Sequence, residues 1–162
     1  MPVPTITWKN DALRLIDQTL LPEEYTFIDC RDVDTVAEAI VSLRVRGAPA
    51  IGVAAAYGVV VAAQEAISSD ADFDTHVRAG IKTLSETRPT AVNLFWALER
   101  QEKVLDQIAG KTPENKRDSL LKEAHKIFED DKKICRQIGR NGAELLGSQT
   151  TILTHCNAGG LA

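Results

Sequence analysis

The sequence contains little cysteine, and the pattern of its cysteines excludes two classes of protein. Cys30, Cys135 and Cys156 form an odd set without CxxC spacing, so the chain has neither a complete disulfide framework nor a zinc-binding signature. This usage is typical of a reducing compartment. Residues 1–10 also lack the basic and apolar stretches of a secretion signal, and we therefore expect a cytoplasmic protein.

The chain has no excess of positive charge and no long hydrophobic span. It carries 19 Lys and Arg against 23 Asp and Glu, a formal net charge of −4, which argues against general binding to nucleic acid or to an anionic membrane. The apolar run at 48–63 contains a proline and two glycines and is short for a membrane span, so we expect a buried helix there. With 44% hydrophobic residues over 162 positions, the composition is that of a globular domain.

The first thirty residues predict a small antiparallel sheet. Runs rich in β-branched, aromatic and aliphatic residues predict strands at 5–8, 12–16 and 25–28. Turn-forming residues separate these runs, Asn-Asp in the first gap and Pro-Glu-Glu in the second. We expect the three strands to form a meander.

From residue 32 onward the hydrophobic period changes to that of α-helices. Asp32 or Asp34 is the expected cap of a first helix that ends near Arg46 and Gly47. A second helix, almost wholly apolar, is expected at about 50–67 in the centre of a bundle. Three further helices are predicted at about 72–87, at about 91–109, and from 113 to the glycines at 139–147, the last with Ile134 and Ile138 on its inward face.

The last residues predict a second kind of structure. Residues 150–154 (TTILT) predict a short strand, followed by a Gly-rich turn, which is how a parallel α/β domain begins. The predicted fold class is therefore α+β: a mostly α-helical N-terminal domain with a small antiparallel sheet at 1–148, then the first strand of a truncated α/β domain at 149–162. A lone parallel strand has no partner, so we expect the chain to be a fragment.

The first candidate site is the segment 46–52 (RGAPAIG), a tight loop that leads into the N-terminus of the buried second helix. Free backbone N–H groups and the positive end of the helix dipole attract phosphate at such a place, and an arginine can add a bidentate contact. On the pattern alone a simpler interpretation also stands: Gly47 ends one helix, Pro49 begins the next and Arg46 is solvated.

Arg88 and Cys156 are the other candidates. Arg88 stands before Pro89 at a turn between helices, where it either reaches over a pocket or is solvated. Cys156 precedes a Gly-rich turn expected to open a helix, whose N-terminus would stabilise the reactive thiolate. Packing as a small buried hydrophobe is the alternative for this cysteine. The sequence has no P-loop, no GxGxxG motif and no cluster with metal-ligand spacing.

Four segments together resemble one enzyme family. They are RGAPAIGVAAAYG (46–58), ETRPTAVNLFWAL (86–98), LTHCNAGGLA (153–162) and, upstream, LIDQTLLPEEY (15–25). In this order they resemble the methylthioribose-1-phosphate isomerases. The same superfamily includes ribose-1,5-bisphosphate isomerase and the non-catalytic regulatory subunits of translation initiation factor 2B, and these remain the alternative functions.

The resemblance implies a helical domain followed by a Rossmann-like α/β domain, in a homodimer that uses no metal or nucleotide cofactor. It implies the conversion of 5-methylthioribose 1-phosphate to 5-methylthioribulose 1-phosphate in methionine salvage. By the resemblance, Arg46, Gly47, Ala48 and Arg88 hold the substrate phosphate and Cys156 is catalytic. The family's catalytic aspartate lies in the later domain, beyond this sequence, so we expect the chain to be inactive alone.

Overall fold

A computed structural model describes residues 4–155 and 159–161, and its first feature is the predicted meander. Three strands pair antiparallel in the order β1-β2-β3: β1 (Ile6–Lys9), β2 (Ala12–Ile16) and β3 (Phe27–Cys30). The last strand lies two residues later than predicted, because its pairing with β2 begins opposite Ile16, at Phe27. Leu13, Leu15 and Cys30 are fully buried, so one face of the sheet packs on the hydrophobic core.

The first helix, α1 (Val33–Val41), begins as predicted and ends earlier. The Asp32 side chain caps it by accepting a hydrogen bond from the backbone N–H of Thr35 at 2.7 Å. The helix stops because Leu43 takes a left-handed backbone conformation, with φ 61°, which interrupts a right-handed helix. Residues 42–47 therefore form a loop where the sequence predicts a last helical turn.

The second helix, α2 (Ala48–Ser68), occupies the centre of the bundle, as its composition predicts. Every residue from 51 to 63 is buried. The helix is long and apolar enough to cross a membrane, but 83% of its most apolar stretch is buried inside the protein. Burial of this kind is typical of the core helix of a bundle.

Three more helices pack around α2. They are α3 (Phe73–Ser85), α4 (Val92–Gln107) and α5 (Pro113–Ala143). All three contact α2, as does α1. The mostly helical domain with a small antiparallel sheet is thus confirmed.

The second half of α5 differs from the prediction. The helix continues through Gly139 and Gly142, and Ile134 and Ile138 are 55% and 65% exposed instead of inward. Ile127 is the last buried residue of α5. The reason is length: α5 has 31 residues against 21 in α2, so at 1.5 Å per residue it is about 15 Å longer than its central partner.

The strand predicted at 150–154 is not observed. Residues 150–155 form neither helix nor strand. A strand needs a neighbour for its backbone N–H and C=O groups, and every strand of the described structure belongs to the N-terminal meander. The expected first strand of a Rossmann-like domain is therefore absent from the part of the chain that the structure describes.

Candidate functional site

The start of α2 has no side-chain cap. Its N-cap residue, Gly47, has φ 91° and ψ 133°, a conformation that favours glycine, and no side chain accepts a hydrogen bond from the first turn. Pro49 has no N–H to offer, while the N–H groups of Ala48 and Ala50 have no backbone acceptor among the described residues. The first turn contains no acidic residue, so no carboxylate offsets the positive end of the helix dipole there.

The start of α4 has the same character. Its N-cap residue, Ala91, makes no side-chain cap, and its first turn contains no acidic residue. The Ala91 N–H donates to the carbonyl oxygen of Arg88 at 3.0 Å, which forms a tight turn just before the helix. Within residues 4–155, the N–H groups of Val92 and Asn93 find no backbone acceptor. This second start also presents free donors next to an arginine.

Gly52 brings the two helix starts together. A Cβ at this position would lie 2.7 Å from the backbone oxygen of Asn93 and 3.2 Å from its carbonyl carbon, a separation that only glycine tolerates. Gly52 lies in the second turn of α2 and Asn93 in the first turn of α4. The two helices therefore touch, backbone to backbone, close to both starts.

The two candidate arginines have no internal counterion in the described structure. Arg46 is exposed and Arg88 is half-buried, and neither forms an ion pair with a described residue. Arg44 differs, because it pairs with both Asp17 and Glu38. The charge of Arg44 is neutralised within the fold, whereas the charges of Arg46 and Arg88 remain available to an anion.

Asp17 anchors the loop that leads into α2. Its carboxylate is almost fully buried and accepts hydrogen bonds from Arg44 and from the Thr19 hydroxyl and N–H, the latter two at 2.6 Å and 3.0 Å. Burial alone would raise the pKa of Asp17, but the bonds from Thr19 and Arg44 outweigh it and lower the pKa. The N–H of Gln18 also donates to the Arg44 carbonyl at 3.0 Å, which holds the loop just before Arg46.

A cleft of about 360 Å³ adjoins the two starts. It is lined from three helices by Pro49, Gly52, Val53, Val92, Asn93, Trp96, Ile127, Asp131 and Ile134. Trp96 is 45% exposed, and its ring is covered by the Arg100 guanidinium at 4.8 Å, which Glu123 holds at 2.6 Å. Burial raises the pKa of Asp131, and the hydrogen bond from the Cys135 thiol opposes this only in part. The cleft is therefore mainly apolar.

The structure places four of the five predicted site residues at this junction. Arg46, Gly47 and Ala48 form the start of α2, and Arg88 forms the turn before α4. Cys156 lies outside the described residues, and its role stays a prediction. Within the described part of the chain, no three His, Cys, Asp or Glu side chains group as metal ligands would.

The candidate segment 46–52 includes Gly52, but sequence reasoning missed Asn93 and the start of α4 as neighbours of this segment. One signal for the two uncapped starts was present in the sequence. Good capping residues precede α1, α3 and α5, namely Asp32, Asp72 and Thr112. Gly47 and Ala91 precede α2 and α4. Glycine is a weaker cap than aspartate, and alanine is a poor one. The close contact of Gly52 with Asn93 had no signal, because it joins residues 41 positions apart.

The described residues thus form a domain of five helices and a small sheet in which two helix starts are uncapped and follow arginines. Uncapped helix N-termini are, in general, places where anions such as phosphate bind. The model of the initiation factor 2 subunit family matches residues 44–162. The chain therefore belongs to the initiation factor 2 subunit family.

Curated relatives share the name methylthioribose-1-phosphate isomerase. The protein from Heliobacterium modesticaldum is 46% identical over 159 residues, 98% of this chain and 46% of the relative. The protein from Trichlorobacter lovleyi is 48% identical over 163 residues, 100% of this chain and 47% of the relative. The chain thus spans about half the length of the curated relatives it matches.

Two solved structures share the fold. The 5-methylthioribose 1-phosphate isomerase from Pyrococcus horikoshii OT3 matches with a TM-score of 0.89 at 39% identity, over 99% of this chain and 45% of that one. Subunit delta of translation initiation factor eIF-2B from A. fulgidus matches with a TM-score of 0.80 at 41% identity, over 98% and 46% respectively. The resemblance carried by the four sequence segments is confirmed.

Proposed function

We propose that this chain is part of a methylthioribose-1-phosphate isomerase and binds the phosphate group of its substrate. The observation that carries the proposal is the contact at Gly52 between two uncapped helix starts, each accompanied by an arginine without an ion-pair partner among the described residues. Relatives 46–48% identical to this chain carry the enzyme's name. A sugar-phosphate enzyme needs an anion site of this kind.

A dianionic phosphate has enough acceptor oxygens to use both helix starts. In the proposed complex the backbone around Gly47 and Ala48 donates to one side of the phosphate, and Arg46 and Arg88 add charge-assisted bonds. Hydrogen bonds to charged groups contribute about 1.5–3 kcal/mol each. Holding the phosphate still also orients the sugar, and positioning lowers a reaction barrier by roughly 7–11 kcal/mol in favourable cases.

The proposed reaction begins from a closed sugar ring, because the phosphate on the anomeric oxygen prevents simple opening to an aldehyde. The ring oxygen takes a proton as its bond to C1 breaks. The hydrogen on C2 moves to C1, and the C2 hydroxyl gives up its proton as it becomes the ketone, which balances the proton that the ring oxygen took. The proposal includes two routes for Cys156: its thiolate carries the hydrogen as a proton through an enolate, or the hydrogen shifts as hydride and the cysteine shapes the site. Deuterium from D2O appears at C1 only in the first route.

The resemblance supplies the rest of the proposal. A Rossmann-like domain would provide the catalytic aspartate, and the whole protein would act as a cytoplasmic homodimer without metal or nucleotide. The curated relatives are about twice as long as this chain, which supports a second domain. We expect the 162-residue chain alone to show no isomerase activity.

Replacing Cys156 tests the proposed chemistry. In the full-length protein that contains this chain, Cys156→Ser is expected to lower kcat by roughly 10²–10⁴-fold, the range for a lost general acid–base group. Cys135→Ser is the matched control, because Cys135 is an exposed thiol on α5 and its loss should leave kcat unchanged. Near-normal turnover of methylthioribose 1-phosphate by the Cys156 variant would refute this role.

The residues that line the cleft favour one of the two candidate sugar phosphates over the other. A methylthio group needs an apolar surface, whereas the second phosphate of ribose 1,5-bisphosphate needs basic residues. Of the described residues that line the cleft, none is Lys or Arg, which favours the methylthio substrate. We expect the full-length protein to turn over methylthioribose 1-phosphate much faster than the bisphosphate, and the reverse ranking would favour the alternative enzyme.

A non-catalytic subunit related to translation initiation factor 2B is the second candidate function. The match to the A. fulgidus eIF-2B subunit delta structure favours it. A helix-start anion site is compatible with both functions, so turnover decides. Stable binding to an initiation-factor partner, with no turnover of either sugar phosphate by the full-length protein, would reverse the ranking.

A further inference from the structure

The contact between α2 and α4 at Gly52 involves main chain. A methyl group on Gly52 would meet the Asn93 carbonyl oxygen at 2.7 Å, whereas ordinary contact begins at 3.4 Å. Asn93 is the second residue of α4, and its carbonyl cannot rotate away as a side chain can. Any residue larger than glycine at 52 must therefore move the start of α4 away from the start of α2.

A second glycine in α2 packs differently. A Cβ at Gly58 would lie 2.9 Å from a methyl of Leu84 and 3.0 Å from a methyl of Val36. These neighbours belong to α3 and α1, away from α4. The two glycines thus have similar crowding in the same helix, but only the contact of Gly52 involves a proposed phosphate-binding element.

Gln101 holds the same two helices in register. Its buried Nε2 donates to the carbonyl oxygens of Ala56 in α2 at 3.0 Å and of Leu120 in α5 at 3.1 Å. Ala56 lies one turn after Gly52, and Gln101 lies about two turns after Asn93. The bond therefore resists sliding of α4 along α2, close to the point at which Gly52 sets their separation.

The amide of Gln101 is not fully satisfied. Its buried Oε1 has no hydrogen-bond partner among the described residues. An unmet buried acceptor is costly. The carbonyl oxygens of Ala56 and Leu120 lie inside helices and keep their helical N–H partners without the glutamine amide, so an apolar residue of similar shape should cost little stability. Stability alone therefore gives little reason for a glutamine at this position, whereas placement of α4 against α2 gives one.

We propose that Gly52 and Gln101 are positioning residues that set the separation and the register of the two phosphate-binding helix starts. This inference rests on the proposed function. Anion donors act at 2.7–3.2 Å, and a misplacement of about 1 Å costs up to about 10²-fold in a positioned reaction. Displacement of the α4 start should therefore weaken phosphate binding more than it weakens the fold.

The test compares two glycine variants in the full-length protein. Gly52→Ala is expected to raise both KM and the inhibition constant of inorganic phosphate by roughly 10-fold or more, with a smaller change in kcat. Gly58→Ala gains the same helix propensity and suffers similar crowding, so it should lose thermal stability while KM and phosphate inhibition stay unchanged. An unchanged KM for Gly52→Ala, or an equal rise in both variants, would overturn the role of Gly52.

Gln101→Met keeps the inference testable should Gly52→Ala not fold. Methionine has a similar length and no amide, so we expect a thermal midpoint close to that of the unmodified protein and a several-fold rise in KM and in the phosphate inhibition constant. A KM equal to that of the unmodified protein would refute the role of Gln101.

Arg46→Ala and Arg88→Ala distinguish failure of the phosphate site from failure of the positioning inference. If neither arginine variant alters inhibition by phosphate, the proposed phosphate site is wrong. If both arginine variants alter it while the Gly52 and Gln101 variants do not, only the positioning inference fails.

Discussion

Helices α1, α3 and α5 have a side-chain cap at the N-terminus, and helices α2 and α4 have none. In the first group a side chain, Asp32, Asp72 or Thr112, accepts a hydrogen bond from the first turn, and an acidic residue follows within that turn. In the second group both features are missing. Capped starts use their free N–H groups for stability, whereas uncapped starts leave them for a ligand.

The two uncapped starts are also the two that follow the candidate arginines. Arg46 directly precedes the N-cap Gly47, and Arg88 lies three residues before the N-cap Ala91. A cap and a carboxylate at either place would compete with an anion for the same donors. Under the proposed function, helix stability and phosphate binding are therefore assigned to different helices of one bundle.

The largest expected effect comes from removing both arginines at the uncapped starts. Arg46→Ala with Arg88→Ala should raise the KM of the full-length protein for its sugar phosphate by roughly 10²–10⁴-fold, at about 1.5–3 kcal/mol for each charge-assisted contact. Arg136→Ala, which removes an exposed arginine of α5, is the control and should leave KM unchanged. Steady-state kinetics check this, and an equal KM in all three proteins would place the phosphate elsewhere.

The second-largest effect is expected from loss of the Asp17 charge, which stabilises the loop before the uncapped start of α2. Asp17→Asn removes the charge that Arg44 and Thr19 bind, and should cost about 1.5–3 kcal/mol of unfolding free energy at neutral pH. The folded-state pKa of Asp17 is lowered, so this stabilisation is present above the unfolded pKa of about 3.9 and is lost as the pH falls through the folded pKa.

Urea unfolding from pH 7 to pH 3 measures this linkage. The difference in unfolding free energy between the unmodified protein and Asp17→Asn should be constant above about pH 5 and should shrink below about pH 4. Glu38→Gln is the control, because Glu38 also pairs with Arg44 but is exposed, and its loss should cost under about 1 kcal/mol. A pH-independent difference for Asp17→Asn would contradict the role of its charge.

Removing a cap from the first group should have a smaller effect, on stability alone. The Asp72 side chain accepts a hydrogen bond from the Thr75 N–H at 3.0 Å. Asp72→Ala should cost about 1 kcal/mol of unfolding free energy and leave KM unchanged. Thermal unfolding and steady-state kinetics on the same preparation check both parts, and a raised KM would show that capped starts also contribute to the site.

Adding a side-chain cap to α4, one of the two uncapped helices, should have the smallest effect. We expect the cap to stabilise the fold and to weaken phosphate binding. Ala91→Ser places a hydroxyl where it can accept from the first turn of α4, which should stabilise the fold by about 0.5–1 kcal/mol and weaken inhibition by inorganic phosphate. Ala91→Val adds bulk without an acceptor and is the control for crowding. Equal phosphate inhibition in the serine variant and the unmodified protein would show that the N–H groups of α4 do not bind the anion.

Local features of the molecule were predictable from the sequence. The alternating runs at the N-terminus predict the meander, and Asp32, Asp72 and Thr112 mark three helix starts within a residue or two. These signals are short-range, because a cap or a turn is set by residues three or four positions apart. Arg46, Gly47, Ala48 and Arg88 were candidates on the local pattern, and the resemblance assigned them to the substrate phosphate, a role that stays a prediction.

Two predictions failed where long-range packing decides. Ile134 and Ile138 continue the apolar stripe of α5, yet they are exposed, because this part of the helix extends beyond α2 and Ile134 only lines the cleft. The TTILT run at 150–154 has strand propensity, but it has no neighbouring strand among the described residues. Propensity and periodicity show which secondary structure and which buried face a segment can adopt. Whether it adopts them depends on a neighbouring element to pack or pair with.

The N-terminal strands and the five helix starts could be predicted within a residue or two, because caps, glycine conformations and hydrophobic period act over a few residues. The contact between the starts of α2 and α4 could be seen only in the folded chain, since the contact of Gly52 with the Asn93 carbonyl and the bonds of Gln101 join residues far apart in the sequence. A methyl group at position 52 would push the two helices apart, but this consequence follows only once the Asn93 backbone is known to face that position.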